Sequence, residues 1–188
     1  PDVSVLLDNG VTGIVFPDVS TVEQARKAVD TCRFAPLGRR SVTAGYPMFD
    51  YSSQPLTATV PALNAATLVV CMIETLEGLE NVEAIAAVEG VDVLHVGTND
   101  LLATMGRPGR FDDPDIVAAQ ARVNAACAAN GKVAGCGGNR DVDRQVSAIR
   151  AGARFLTTQT DIGFLLAAAS AWTGGVRRAL EPQSPSGR

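Results

Sequence analysis

The 188 residues carry 16 Lys and Arg against 20 Asp and Glu, a formal net charge of -4, with 46% hydrophobic and 19% charged residues. Such a chain has ample apolar surface for a core, which excludes global disorder, and its acidic balance without a basic run excludes nucleic acid as a partner. No apolar stretch reaches the roughly 18 to 20 residues that a membrane-spanning helix needs, and Cys32, Cys71, Cys127 and Cys136, which lack CxxC spacing, read as reduced thiols of a cytoplasmic protein.

In chain order, a short helix ends at LLDNG; with no initiator Met or leader ahead of it, the sequence reads as a fragment of a longer chain. VTGIVF (11 to 16) is the first predicted strand, followed by the helix STVEQARKAVDTCR with Ser20 as its cap. SVTAGY (41 to 46) is the second strand and LTATVPALNAA a weaker helix. ATLVVCMI (66 to 73) precedes the helix LEGLENVEAIAAV, and VDVLHVG (91 to 97) precedes a short LLATM segment and the helix DPDIVAAQARVNAACAANG. KVAGCGG (132 to 138), the helix RDVDRQVSAIRAG, ARFLTTQT (153 to 160) and the long helix DIGFLLAAASAWTGGVRRAL complete the pattern. Gly90, Gly131 and Gly152 stand where helices stop just before strands. Residues 1–180 thus read as one domain, and the polar 181–188 tail as disordered.

Nearly all-apolar strands joined by helices call for a parallel sheet covered on its faces, an α/β fold. Six units of about 31 residues match an eight-unit TIM (β/α)8 barrel of about 250 residues that lacks its first two strands, so the chain is expected to hold the last six βα units. A complete doubly wound sheet would instead carry a glycine fingerprint opening a helix after its first strand, and GVTGIVFPD does not supply one.

In such an array the site lies at the carboxyl ends of the strands. Glu74 ends ATLVVCMI, and Asp100 follows VDVLHVG through Gly97, Thr98 and Asn99. Two carboxylates on one rim, with open positions and no Cys/His cluster, suit an oxygen-seeking divalent cation such as Mg²⁺ or Mn²⁺. The alternative stays open that Glu74 begins the next helix and Asp100 is an N-cap. His95, the single histidine, falls inside an apolar strand and reads as a core residue. Arg107 and Arg110 read as solvated loop, and Arg39 and Arg40 as amino-end residues of the second strand.

GIVFPDVSTVEQARKAVDTCRFAPLGRRSV, then MIETLEGLENVEAIAAVEGVDVLHVGTNDLLATMGRPGRFDDPDI, then GARFLTTQTDIGFL resemble the HpcH/HpaI aldolase family, metal-dependent class II pyruvate aldolases of the citrate lyase β-like superfamily. The resemblance covers nearly the whole chain. It implies that Glu74 and Asp100 ligate Mg²⁺, Mn²⁺ or Co²⁺, and that the backbone of Gly97, Thr98, Asn99 and Asp100 holds the pyruvate carboxylate. Asp8, in LLDNG, is the implied acidic support of a catalytic histidine across a subunit boundary, which makes the protein a homo-oligomer. Met72 stands where many members have a substrate-facing Gln, and Gly-Thr-Asn-Asp replaces their Gly-Pro-Ala-Asp turn. The family's catalytic His and transition-state Arg belong to strands upstream of Pro1.

The activity so implied is lyase cleavage of 4-hydroxy-2-oxo acids to pyruvate and an aldehyde through a metal-stabilised enolate. This chain holds no good base for the 4-hydroxyl, so the reading belongs to the longer parent, and the isolated chain is expected to be short of turnover. The alternatives are a citrate lyase β or malyl-CoA lyase type of C–C cleavage, which the acidic balance disfavours, and a catalytically incomplete barrel fragment that serves as an assembly module.

Overall fold

The computed structural model describes residues 3–43 and 45–181. In its first compact unit, which ends at Thr157, α1 (Val3–Asp8), β1 (Gly13–Phe16), α2 (Val22–Cys32), α3 (Leu56–Ala66) and β2 (Leu68–Ile73) lead into two short helices, α4 (Leu76–Glu80) and α5 (Val82–Ala86). β3 (Val93–Gly97), α6 (Thr98–Thr104), α7 (Pro114–Ala129), β4 (Val133–Gly137), α8 (Val142–Arg150) and β5 (Phe155–Leu156) follow. The second unit, from Thr158, holds α9 (Asp161–Leu180), whose N-cap Thr160 accepts from the Gly163 N–H. The tail assignment for 181–188 falls outside the described residues from 182 onward. Among the described residues no helix is long and apolar enough to cross a membrane.

The five strands form one parallel sheet in the order β1-β2-β3-β4-β5, each paired with its neighbour in chain order. Among the described residues five strands, not six, are present, because residues 41–43, 45 and 46 form no strand and β1 pairs directly with β2. The alternation in SVTAGY has another cause. Gly45 takes φ 75°, off any strand, and Tyr46 turns into a small satellite cluster with Phe34 and Leu63, its hydroxyl accepting from the Thr43 N–H. The predicted strand 153–160 shrinks to Phe155–Leu156, and the predicted helix LEGLENVEAIAAV breaks at Asn81.

Register divides the sheet's residues between two faces. Ile14, Val69, Cys71, Ile73, Leu94, Val96, Ala134 and Cys136 point toward α2, α5 and α7 and form the main core with Val29, Ile85 and Val123. Burial of these side chains supplies most of the driving force for folding. The opposite face carries Val15, Leu68, Val70, Met72, Val93, His95, Gly97, Val133, Gly135, Gly137 and Phe155. Val15, Leu68 and Val133 on this face remain about 40% exposed.

His95 fills a slot on this second face made by glycines. A Cβ at Gly135 would lie 2.7 Å from its Nδ1 and one at Gly137 2.5 Å from its Nε2, and Phe155 meets the ring edge-on at 5.5 Å. The Gly-x-Gly of β4 is therefore the complement of one histidine across the ladder. Burial lowers the His95 pKa to about 4, so the ring is neutral.

At the amino end of the sheet, Arg33 is buried and gathers three segments. Its guanidinium donates to Asp92 Oδ2 at 2.5 Å, to the Gly90 carbonyl at 3.2 Å and to the Asn64 carbonyl, while Asp92 Oδ2 also accepts from the Val69 N–H at 2.7 Å. Arg33→Ala leaves that carboxylate and two carbonyls short of a donor. A loss of about 2 to 3 kcal/mol is expected, because Asp92 is about one-third exposed and water takes over part of its solvation. The urea midpoint of unfolding measures it.

The FPDVST segment is anchored over the carboxyl ends of β1 and β2. α2 is capped by Thr21 rather than Ser20, with a capping box in which Thr21 Oγ1 accepts from the Gln24 N–H and Gln24 Oε1 accepts from the Thr21 N–H. Ser20 is thereby free to pair its hydroxyl with that of Thr75 at 2.6 Å, while the Val19 N–H donates to the Met72 carbonyl. Position 78 is glycine because a Cβ there would lie 2.7 Å from the Val19 carbonyl oxygen.

Candidate active site

The carboxyl edge of the sheet carries an acidic cleft of about 740 Å³, lined among others by Asp18, Met72, Glu74, Thr75, Asp100 and Thr104. Glu74 follows β2 directly and precedes Thr75, the N-cap of α4, so it is not a helix residue. Asp100 is the third residue of α6, whose N-cap position is Gly97, so it is not an N-cap either. Asp100 stays in the first turn of α6 and Glu74 just ahead of the α4 cap, and the fold brings the two carboxylates to one rim.

Glu74 is 5% exposed, and Oε1 accepts from the Asp18 N–H at 2.7 Å. Burial holds its pKa above the ordinary carboxylate value; the Asp18 N–H opposes that rise, and the Asp18 and Asp100 carboxylates add to it. Asp100 is close enough to Glu74 to add to that rise, and both residues line the same cleft. Among the described residues no Lys or Arg forms an ion pair with Asp18, Glu74 or Asp100. A buried carboxylate beside like charges, with no cation from the protein, is a site that gains from an added cation. Gly97 makes room for the Glu74 side chain itself: a Cβ there would stand 2.5 Å from Glu74 Oε2, 2.8 Å from Glu74 Cβ and 3.1 Å from Met72 Sδ. No group of three or more His, Cys, Asp or Glu capable of holding a metal occurs among the described residues. Two carboxylate oxygen donors fit a hard divalent ion that keeps several positions for water or a ligand.

The other residues singled out from the sequence divide. Thr98 is buried and Asn99 exposed at the start of α6, and Met72 is half-buried on the cleft wall. Asp8 does not join them. It lies at the end of α1, ahead of β1, and pairs with Arg40 at 2.6 Å, and the Arg40 guanidinium also stands 4.5 Å over the Phe34 ring. Within the chain the buried Arg40 holds the Asp8 carboxylate, and the expected role of Asp8 concerns a subunit boundary. Arg107, expected as solvated loop, instead pairs with Asp113 and Asp115.

Asp18 was not anticipated. It is exposed in the cleft with φ 53°, a left-handed conformation that a non-glycine residue seldom adopts and that turns its N–H toward Glu74. Its place immediately after the apolar run GIVFP was the available signal. A second pocket, of about 550 Å³, borders the same turn and is lined by Asn99, Phe111, Gly138, Asn139, Arg140 and Arg144, among others.

A parallel helix-covered sheet whose carboxyl edge presents a buried Glu and a neighbouring Asp defines the chain as an α/β protein with an enzyme-type acidic site at the usual edge. The family profile of HpcH/HpaI aldolase/citrate lyase matches residues 1–168, and the chain belongs to this family. It is similar to 4-hydroxy-4-methyl-2-oxoglutarate aldolase tasA of Hapsidospora irregularis, 42% identical over 91% of this chain and 64% of that protein. It is also similar to the aldolase cghB of Chaetomium globosum, which carries the same description and is 43% identical over 87% of this chain and 62% of that protein. Among solved structures, the HpcH/HpaI aldolase of Desulfitobacterium hafniense superposes with a TM-score of 0.84 at 26% identity, over 99% of this chain and 70% of that one. The chain thus spans under two thirds of the length of these curated relatives.

Proposed function

We propose that the protein of which this chain is a part is a divalent-metal-dependent aldolase of the aldehyde-lyase class that cleaves 4-hydroxy-2-oxo acids to pyruvate and a carbonyl product. The observation that carries the reading is the buried Glu74 beside Asp100 on one cleft, with no protein cation among the described residues to balance them. Glu74 and Asp100 would hold the cation. When bound, it supplies Lewis-acid polarisation of the substrate's 2-oxo group and stabilises the charge that develops as the C–C bond breaks.

The chain's own residues do the rest of the positioning. The Asp18 N–H fixes Glu74 so that one oxygen remains free for a ligand, and Met72 forms an apolar wall where a substrate methylene can lie. Thr98, Asn99 and Asp100, in the first turn of α6, direct backbone N–H groups toward the region of a bound carboxylate. The base for the 4-hydroxyl is assigned to a segment outside these residues.

In the same reading the sheet is part of a TIM barrel. Five strands of eight are about 63%, close to the share of the relatives that the chain covers. The partly exposed Val15, Leu68 and Val133 lie on the face that a closed barrel turns inward. Asp8 acting across a subunit boundary in a homo-oligomer belongs to this proposal, and would require exchange of its Arg40 partner.

Calorimetric titration of the chain with Mn²⁺ or Mg²⁺, alone and with pyruvate, tests the function. Pyruvate uptake that depends on the metal is the expected result. Uptake of coenzyme A instead would favour the citrate lyase type of C–C cleavage, and uptake of neither would leave an assembly fragment.

A further inference from the structure

The segment that leaves β1, from Pro17 to Ser20, is fastened to the end of β2 and to the helices that follow it. The Val19 N–H donates to the Met72 carbonyl at 3.1 Å, the Ser20 hydroxyl pairs with that of Thr75 at 2.6 Å, and the Ser20 carbonyl accepts from Asn81 Nδ2 at 2.9 Å. Gly78 packs against the same segment, since a Cβ there would lie 2.7 Å from the Val19 carbonyl oxygen. Asp18 is therefore held from both sides along the chain, on the wall of the acidic cleft and exposed to it.

The backbone and the side chain of Asp18 have different partners. Its N–H donates to Glu74 Oε1 at 2.7 Å, whereas its carboxylate accepts no hydrogen bond and forms no ion pair among the described residues. Aspartate visits positive φ mainly where its short side chain bonds the nearby backbone, and at φ 53° Asp18 has no such bond. Asparagine or glycine would suit this turn equally well. The turn therefore does not account for the carboxylate. Nor is it a third direct ligand, since no group of three or more metal-holding side chains occurs among the described residues. A hard divalent ion held by two carboxylates keeps several waters, and an unpartnered carboxylate beside them is a strong acceptor for their hydrogens.

We propose that Asp18 is a positioning residue whose carboxylate accepts a hydrogen bond from a water of the cation held by Glu74 and Asp100, and that it thereby tightens the metal while weakening the 2-oxo acid. This rests on the metal-dependent reading above. The second effect follows from charge. The carboxylates of Asp18, Glu74 and Asp100 outnumber the charge of one divalent ion, and no Lys or Arg pairs with them among the described residues. The loaded site is thus still negative when the carboxylate of pyruvate arrives, and the two repel. Aspartate at this position favours a site that keeps its metal and lets pyruvate go.

Asp18→Asn and Asp18→Gly test it, because both residues accept a positive φ and so preserve the N–H that holds Glu74 while removing the charge. Each variant and the wild-type chain are titrated calorimetrically with Mn²⁺ alone, and then with pyruvate at saturating Mn²⁺. Both variants should bind Mn²⁺ about tenfold more weakly, as for loss of an outer partner of a metal. Both should bind pyruvate about threefold more tightly, the size of one exposed charge interaction. The opposite signs are the signature, since a residue that only shaped the cleft or steadied Glu74 would lower both affinities together. Thermal melting of each variant checks that the fold is intact. Unchanged Mn²⁺ affinity, or pyruvate affinity that falls or does not move, would show the assignment of Asp18 to be wrong while the metal site of Glu74 and Asp100 stands. A wild-type chain that takes up no Mn²⁺ removes that metal site, and this assignment with it.

Discussion

Glu74→Gln and Asp100→Asn should each weaken metal-dependent pyruvate uptake by more than about 100-fold. An amide keeps the shape of the carboxylate but removes the charge that attracts a hard cation, and loss of a direct ligand is expected to exceed the 10- to 100-fold typical of outer-shell losses. The surroundings sharpen this. Glu74 is buried against Asp18 and Asp100, so an amide there relieves repulsion and the folded protein should melt no lower than wild type. Higher or unchanged thermal stability together with lost Mn²⁺-pyruvate binding, read by calorimetry on the same samples, is the combined signature. In the longer parent, kcat/KM for a 4-hydroxy-2-oxo acid should fall with it, whereas His95→Gln, after correction for stability, should leave turnover largely intact. Retained binding in both carboxylate variants would remove the metal assignment.

Acidification should destabilise the fold through His95. Its folded-state pKa is lowered by burial from 6.5 to about 4, so above pH 6.5 the residue is neutral in both states and its contribution is fully present. As the pH falls below 6.5 the unfolded chain takes up a proton that the folded chain refuses, and stability is lost progressively down to about pH 4. At about 1.4 kcal/mol per pKa unit the loss is on the order of 3 kcal/mol. Urea unfolding between pH 7.5 and 4.5, compared with His95→Gln, isolates it: the wild type should lose stability over this range more steeply than the variant. Parallel curves would show that His95 is protonated without cost in the folded state. The ring fits its slot only because positions 135 and 137 lack a Cβ, so this sensitivity is a property of three residues on two strands.

What could be read from the chain and what could not follow from the range of the forces involved. The βα alternation, the helix-covered face of each strand and the break points at Gly90, Gly131 and Gly152 are local, since side-chain period and positive φ belong to a few consecutive residues. β1, β2, β3 and β4 were therefore legible, as were Glu74 and Asp100, which terminate apolar runs. The segment 41 to 46 has strand-like alternation, yet residues 41–43, 45 and 46 form no strand, because Tyr46 packs on Phe34 and Leu63, residues brought beside it only by the folded chain. The positions of Asp8 beside Arg40 and of Asp18 beneath Glu74 depend on partners 32 and 56 residues away. So does the juxtaposition of Asn99 with Gly138 across the ends of β3 and β4. Periodicity assigns residues to a face, whereas the partner each charged group meets is decided by strand register and loop path, which exist only once the sheet has formed.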